Sequence, residues 1–127
     1  MNCETRFFIC KHCGNLIGLI LSSGVPIICC GEEMSELVPN TVDASHEKHV
    51  PVVAVDGDKV IVKIGSVPHP MAEEHYIMWV YLQTGKGGQR KCLKPGDAPE
   101  AEFLIVNDKP VAVYAYCNIH GLWSTEL

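Results

Sequence analysis

Four cysteines near the start of the chain limit its folding more than any other feature. They form two pairs, Cys10 with Cys13 and the adjacent Cys29 and Cys30, in a segment of about 36 residues. A segment below about 40 residues buries too little apolar surface to fold alone and usually depends on a metal ion or disulfides. We therefore predict that a metal ion held by four thiolates forms the core of a small N-terminal domain.

The cysteine count favours metal ligands over disulfides. The chain has seven cysteines, an odd number, and its first residues lack the charged and apolar regions of a secretion signal. Thiols stay free in a reducing compartment. Zinc and iron both accept four sulfurs in a tetrahedron, so the spacing leaves structural zinc and redox-active iron as open alternatives.

The residues around these cysteines predict short strands joined by tight turns. Residues 5–9 and 16–21 are predicted strands that flank the first pair. Gly14 is suited to the left-handed conformation that lets backbone amides point at sulfurs. Cys29 and Cys30 cannot both face one side of a regular strand, so we predict that they lie in a turn.

The remainder of the chain predicts an all-β domain. Residues 32–41 are polar and predict a linker, with a metal-bound domain at 1–37 and a second domain at 38–127. Apolar or alternating runs separated by Gly, Pro, Asn and Asp then follow without a long helical pattern, and they predict a seven-stranded β-sandwich. The runs are 51–55, 59–64, 76–84, 89–93, 101–106, 110–116 and 122–126.

Charge and hydropathy exclude several classes of partner. The net charge is -5 and no basic stripe is present, which argues against a nucleic-acid or membrane-surface binder. No apolar run approaches the roughly 20 residues needed to cross a bilayer. We therefore expect a cytoplasmic protein that binds neither nucleic acid nor membrane.

A second group of candidate ligands lies at strand ends and loops of the predicted sandwich: His49, His69, His75, Cys117 and His120. Loops from different strands meet at one end of a sandwich, so these side chains can surround one ion. Imidazoles with a single thiolate suit iron, copper or zinc. A blue-copper site would need a weak axial methionine, and none follows Cys117-x-x-His120.

The motifs that carry these ligands resemble those of superoxide reductases, and the cysteine segment resembles the desulforedoxin-type domain of the two-iron members, the desulfoferrodoxins. The resemblance covers nearly the whole chain. The motifs are Cys10-Lys11-His12-Cys13-Gly14, Cys29-Cys30, Glu47-Lys48-His49-Val50-Pro51, His69-Pro70-Met71, Glu74-His75-Tyr76 and Cys117-Asn118-Ile119-His120-Gly121.

The resemblance implies two iron centres per chain. In the second domain, four imidazoles would form the equatorial plane of a mononuclear non-haem iron(II), with Cys117 as axial thiolate and the sixth position open. The four cysteines of the first domain would hold the other iron. The resemblance also implies an immunoglobulin-like sandwich and a homodimer.

The implied activity is the one-electron reduction of superoxide to hydrogen peroxide without release of dioxygen. A small carrier such as rubredoxin would supply the electron. Lys48 would attract superoxide and organise the water that protonates it, and Glu47 would close on the oxidised iron as a sixth ligand. His46 stands where the family leads us to expect a lysine, while Cys3 and Cys92 lie outside the motifs as free thiols.

Two other functions remain open at the level of sequence. A protein of the rubredoxin or desulforedoxin kind would use both irons only to carry electrons, and a storage or structural module would hold zinc. An open coordination position on the metal ion would distinguish the reductase from the electron carrier. Iron in place of zinc would distinguish both of them from the storage or structural module.

Overall fold

The computed structural model describes residues 5–127, so the predicted free thiol Cys3 lies outside the described residues. The chain divides into two compact units, a first that ends at Val38 and a second of Pro39–Leu127. Both units are built almost entirely from antiparallel strands, and the predicted all-β class is confirmed.

The first unit is a set of very short strands. A three-stranded sheet has the order β2-β1-β5, and β3 pairs with β4 in a separate hairpin. Phe7 and Met34 are its buried apolar side chains apart from cysteine, which is a small core for such a unit. The strands are β1 Arg6–Ile9, β2 Leu16–Leu19, β3 Ile28–Cys29, β4 Glu32–Glu33 and β5 Ser35–Leu37.

The predicted linker at residues 32–41 is wrong over its first half. Strand β4 pairs Glu33 with Ile28, and β5 pairs Leu37 with Phe7 at the edge of the larger sheet. Both are edge strands with exposed glutamates, so their composition reads as polar although Met34 between them is buried.

The second unit is a sandwich of two antiparallel sheets that follow a four-residue helix, α1. One sheet has the order β10-β7-β6 and the other β12-β11-β8-β9. The elements are α1 His46–His49, β6 Pro51–Asp56, β7 Lys59–Ile64, β8 Ile77–Thr84, β9 Gly87–Cys92, β10 Glu100–Leu104, β11 Pro110–Cys117 and β12 Gly121–Glu126. Within residues 5–127, no helix is long and apolar enough to span a bilayer.

The sandwich core lies between the central strands of the two sheets. Alternate residues of β7, such as Val60 and Val62, are completely buried, and they share one apolar cluster with Val80 and Val113 from β8 and β11. Cys117 at the end of β11 belongs to the same cluster. The core therefore fixes the strand ends from which the loops with candidate ligands leave.

Candidate metal centres

The four cysteines of the first unit converge as the sequence predicts. Their sulfurs, on Cys10, Cys13, Cys29 and Cys30, all lie within 4.8 Å of one another, and the Sγ atoms of Cys13 and Cys29 are 3.6 Å apart. Sulfurs placed about 2.3 Å from one ion at tetrahedral corners are about 3.8 Å apart. The group therefore has the size of a tetrathiolate site for zinc or iron.

Left-handed backbone conformations make this convergence possible. Gly14 has a φ of 83°, as predicted, and its amide donates to the Cys10 carbonyl at 2.9 Å to close the first turn. Cys29 ends β3, whereas Cys30 has a φ of 53° and Gly31 one of 77°. The reversal of handedness turns two adjacent cysteines toward the same point, which a regular strand could not do.

Amide groups lie close to the sulfurs of this group, and the four thiols differ in acidity. The Asn15 backbone N–H lies 3.5 Å from Cys13 Sγ, and the Asn15 side-chain amide lies 3.6 Å from Cys29 Sγ. The pKa of Cys10 is lowered to about 6, chiefly by a backbone hydrogen bond from Cys13. The pKa of Cys30 is raised to about 12, chiefly through its hydrogen bond to Cys13. One thiolate thus forms readily, and a cation is needed to stabilise all four.

Four histidines of the second unit form a square. Around it, in the order His49, His69, His75 and His120, neighbouring ring centroids are 4.7, 4.7, 5.0 and 4.9 Å apart. The diagonal between His49 and His75 is 6.4 Å. Neighbouring rings meet nearly edge to face, with interplanar angles of 74–86°. This is the arrangement that four equatorial imidazoles around one ion require.

The nitrogens that face the middle of the square are spaced for metal ligation. His49 Nε2 lies 3.1 Å from His69 Nε2 and 3.1 Å from His120 Nδ1. Two nitrogens about 2.1 Å from one ion, at a right angle, lie about 3.0 Å apart. The buried His75 Nε2 has no hydrogen-bond partner within the described chain, so a metal ion would satisfy it.

Backbone carbonyls fix which nitrogen is available. His49 Nδ1 lies 2.6 Å from the Ser45 carbonyl oxygen, and His69 Nδ1 lies 2.7 Å from that of Pro70. A carbonyl only accepts, so each Nδ1 carries the proton and each Nε2 keeps its lone pair for a metal. Burial lowers the pKa of both rings, that of His69 to about 4, which keeps them neutral as ligation requires.

Cys117 supplies the fifth donor. It is fully buried at the end of β11, and its Sγ lies 4.0 Å from His120 Nδ1. The backbone N–H of His120 points at the same sulfur at 3.4 Å. Burial raises the pKa of the thiol, so a positive ion beside it is what would hold it as a thiolate.

Two residues outside the ligand motifs fix the ligands in place. Trp123 stacks on the His49 ring at 4.8 Å and donates from Nε1 to the His120 carbonyl at 3.1 Å. Gly65 lies against α1 so closely that an added Cβ would be 2.6 Å from the Glu47 carbonyl oxygen. A buried glycine beside a helix has no distinctive sequence signal, which is why it was missed.

Glu47 and Lys48 are exposed on α1, immediately before His49. Burial lowers the pKa of His75; of the nearby charges, His120 and Lys48 lower it further and Glu74 raises it. His46 is exposed and packs its ring edge against Trp123 at 5.2 Å. Cys92 is an exposed free thiol on β9 and belongs to neither donor group.

The fold and the two donor groups define a two-centre, all-β metalloprotein, with a tetrathiolate unit followed by a sandwich that holds four imidazoles and a thiolate. The family model for desulfoferrodoxin matches residues 41–126. The chain belongs to the desulfoferrodoxin family, and the resemblance seen in its sequence is confirmed.

Individual relatives match two thirds of the chain or more. The chain is 47% identical over 123 residues to the desulfoferrodoxin of Syntrophotalea carbinolica, covering 97% of each chain. It is 40% identical over 103 residues to the superoxide reductase of Pyrococcus horikoshii, covering 67% of this chain and 90% of that protein. The crystal structure of the superoxide reductase from Treponema pallidum superposes with a TM-score of 0.81 at 44% identity, covering 97% of this chain and 99% of that one.

The predicted cofactor content is also confirmed. The family and the two donor groups, one of four sulfurs and one of imidazoles with a sulfur, together match two iron centres per chain.

Proposed function

We propose that this chain is a superoxide reductase. It would reduce superoxide by one electron to hydrogen peroxide at the site of His49, His69, His75, Cys117 and His120. The observation that carries the proposal is the square of imidazoles above a buried thiolate. Among residues 5–127 the donor group includes no carboxylate, so a position is left for a small anion.

The reaction is balanced as superoxide plus one electron and two protons giving hydrogen peroxide. Iron(II), when bound, would supply the electron to superoxide at the vacant coordination position. Because no bond between the protein and the product forms, the protein must only hold the ligands, attract the anion and deliver protons. No dioxygen is produced in this stoichiometry.

The roles of the ligands follow from their surroundings. The three histidines that face the square through Nε2, His49, His69 and His75, would hold the ion in a plane, and carbonyl bonds on the first two fix their orientation. His120 would join through Nδ1. Cys117 would hold the ion as a thiolate and would donate electron density to it.

Lys48 would attract superoxide, and Glu47 would occupy the vacant position when the centre is oxidised. Lys48 is exposed on α1 immediately before the ligand His49, so its positive charge would attract an approaching anion to this site. This local positive charge matters because the net charge of the whole chain is -5. Lys48 can also hold a water molecule that donates the protons.

The first unit, proposed to span residues 1–37, would hold the second iron through Cys10, Cys13, Cys29 and Cys30. The second unit would span 38–127 and carry the reaction. The electron that each turnover consumes must come from outside, and we propose a small carrier such as rubredoxin as the donor.

A homodimer and a cytoplasmic location complete the proposal. The first unit exposes Ile20, Val25 and Ile28 by 62–84%, and contact with a second copy would remove such apolar side chains from water. The six cysteines of residues 5–127 are all free, which fits a reducing compartment. Light scattering on the purified protein tests the dimer.

The experiment that tests the function combines metal analysis, a visible spectrum and stopped-flow mixing with superoxide. We expect about two irons per chain, a thiolate-to-iron(III) band that grows on oxidation, and peroxide without dioxygen. If the iron protein exchanges electrons but forms no peroxide from superoxide, the reductase proposal is wrong and the chain is an electron carrier. If the protein is colourless and holds zinc, the reductase and the electron carrier are both excluded.

The role of Lys48 has its own test. Lys48→Ile should lower the second-order rate constant for superoxide by about tenfold at low salt, because electrostatic attraction raises such rates. Lys63→Ile is the control, since Lys63 is exposed on β7 and its replacement changes the net charge equally. The difference should shrink as salt screens the charge. Equal effects of the two variants would contradict a local role for Lys48.

A further inference from the structure

The side chain of Asn118 connects two segments that carry candidate metal ligands. One is the turn with Cys117 and His120, and the other is the loop with His75. Asn118 Oδ1 accepts from the Tyr76 backbone N–H at 2.9 Å, and its Nδ2 donates to the Glu74 carbonyl oxygen at 3.1 Å. Its own backbone N–H donates to the Tyr76 carbonyl at 3.2 Å. Three hydrogen bonds therefore join the residues on both sides of His75 to the turn that begins at Cys117.

These hydrogen bonds lie where the regular pairing between β8 and β11 ends. Tyr116 pairs with Trp79, but Cys117 pairs with Ile77, so the register shifts by a residue at the ligand. Beyond this bulge the Asn118 side chain, rather than a main-chain carbonyl, accepts from Tyr76. The main chain after Cys117 therefore leaves the direction of β11 and forms the turn. In this turn the backbone N–H of His120 points at the Cys117 sulfur.

We infer that Asn118 is a positioning residue for the centre of four imidazoles and one thiolate. It contacts no donor atom, but it fixes the distance between the loop of His75 and the turn of Cys117 and His120. The inference rests on the proposed binding of iron by these residues. Residues that orient metal ligands from the next layer typically change metal affinity by 10–100-fold when mutated.

The chain contains a matched control for a purely structural effect. Asn40 forms an equivalent bidentate contact in the same unit: its Oδ1 accepts from the Ser124 N–H at 2.9 Å, and its Nδ2 donates to the Ser124 carbonyl at 3.2 Å. Its backbone N–H donates to Leu122 at 3.0 Å. Asn40→Ala removes three side-chain hydrogen bonds, including one to Ser124 Oγ at 3.5 Å, against two for Asn118→Ala, and it places alanine at a φ of 63°. It is therefore the more disruptive change for the fold, but it does not act between two ligand-bearing segments.

The experiment measures iron release from the full-length, iron-loaded protein to a ferrous chelator, with the position of the thiolate-to-iron(III) band as a second readout. We expect Asn118→Ala to release iron from this centre about tenfold faster or more and to shift its band. The tetrathiolate band serves as an internal reference and should not change. Asn40→Ala should leave both readouts at their wild-type values.

Asn118→Asp keeps the acceptor for Tyr76 and loses the donor to Glu74, so its release rate should fall between those of wild type and Asn118→Ala. It also provides a readout if the alanine variant does not fold. Wild-type release by the Asn118 variants, or equal acceleration by Asn40→Ala, would overturn the inference. A wild-type protein that binds iron but does not reduce superoxide would overturn the proposed function alone, since iron release would still be measurable.

Discussion

Gly65 supports the segment that carries both a metal ligand and the charged pair. A Cβ at this position would lie 2.6 Å from the Glu47 carbonyl oxygen, 3.0 Å from that of Val50 and 3.1 Å from the Lys48 carbonyl carbon. All three are backbone atoms at α1, so no side chain can rotate away. The same loop holds α1 through the Val67 N–H, which donates to the Glu47 carbonyl at 2.9 Å.

Gly65→Ala must therefore move α1 or the loop against it. The shortest contact has to lengthen by about 0.7 Å to reach an ordinary C···O separation of about 3.3 Å. Overpacking of this kind costs about 1–3 kcal/mol, and each kcal/mol lowers the melting temperature of a unit this size by about 4–8 °C. His49 moves with α1, and a displacement above about 0.5 Å is enough to disturb a metal site.

Thermal unfolding of the second unit and iron release from its centre measure the two effects. We expect Gly65→Ala to lower the melting temperature and to accelerate iron release from the His49 site while the tetrathiolate site keeps its iron. Gly18→Ala is the control, because a Cβ there would meet Phe7 at an ordinary 3.5 Å. A Gly65→Ala protein with wild-type melting temperature and iron release would refute the reasoning. Such a result would mean that a methyl group fits between residue 65 and the backbone of α1 without displacing it.

Two further predictions concern the donor groups. Cys13→Ser should abolish the visible band of the tetrathiolate iron and spare superoxide reduction at the other centre; loss of both, measured by spectrum and stopped flow, would contradict separate centres. Acidification should destabilise the metal-free second unit between about pH 6.5 and pH 4, because burial lowers the pKa of His69 to about 4 and the unfolded chain takes up protons first. Melting temperatures that rise over this interval would contradict it.

The ligands could be predicted from sequence because each lies in a short motif with its own chemistry. Cys10-x-x-Cys13 and Cys117-x-x-His120 place donors at spacings that a turn brings together, and the period-2 apolar runs indicate the strands between them. Cys29 and Cys30 were predicted in a turn for a steric reason; the prediction is wrong for Cys29, which ends β3, and right for Cys30, whose φ of 53° provides the change of direction.

The order of the imidazoles around the square could not be predicted in this way. It depends on how three segments pack at one end of the sandwich: α1 with His49, the loop of His69 and His75, and the turn of His120. The contacts of Gly65 with α1, of Asn118 with Glu74 and of Trp123 with the His49 ring join residues far apart in the chain, and no local pattern indicates them. The short strands β4 and β5 were missed for the same reason, because pairing with distant strands rather than composition defines them.

The donor types explain why the two centres suit different tasks. Four thiolates around a divalent ion leave a net negative charge, whereas four neutral imidazoles with one thiolate leave a net positive charge. An anion such as superoxide is therefore repelled by the cysteine centre and attracted by the histidine centre, where Lys48 adds to the attraction. Burial keeps His49 and His69 neutral although their carbonyl bonds favour the protonated rings. It thereby maintains the charge difference that directs an anionic substrate to one of the two irons.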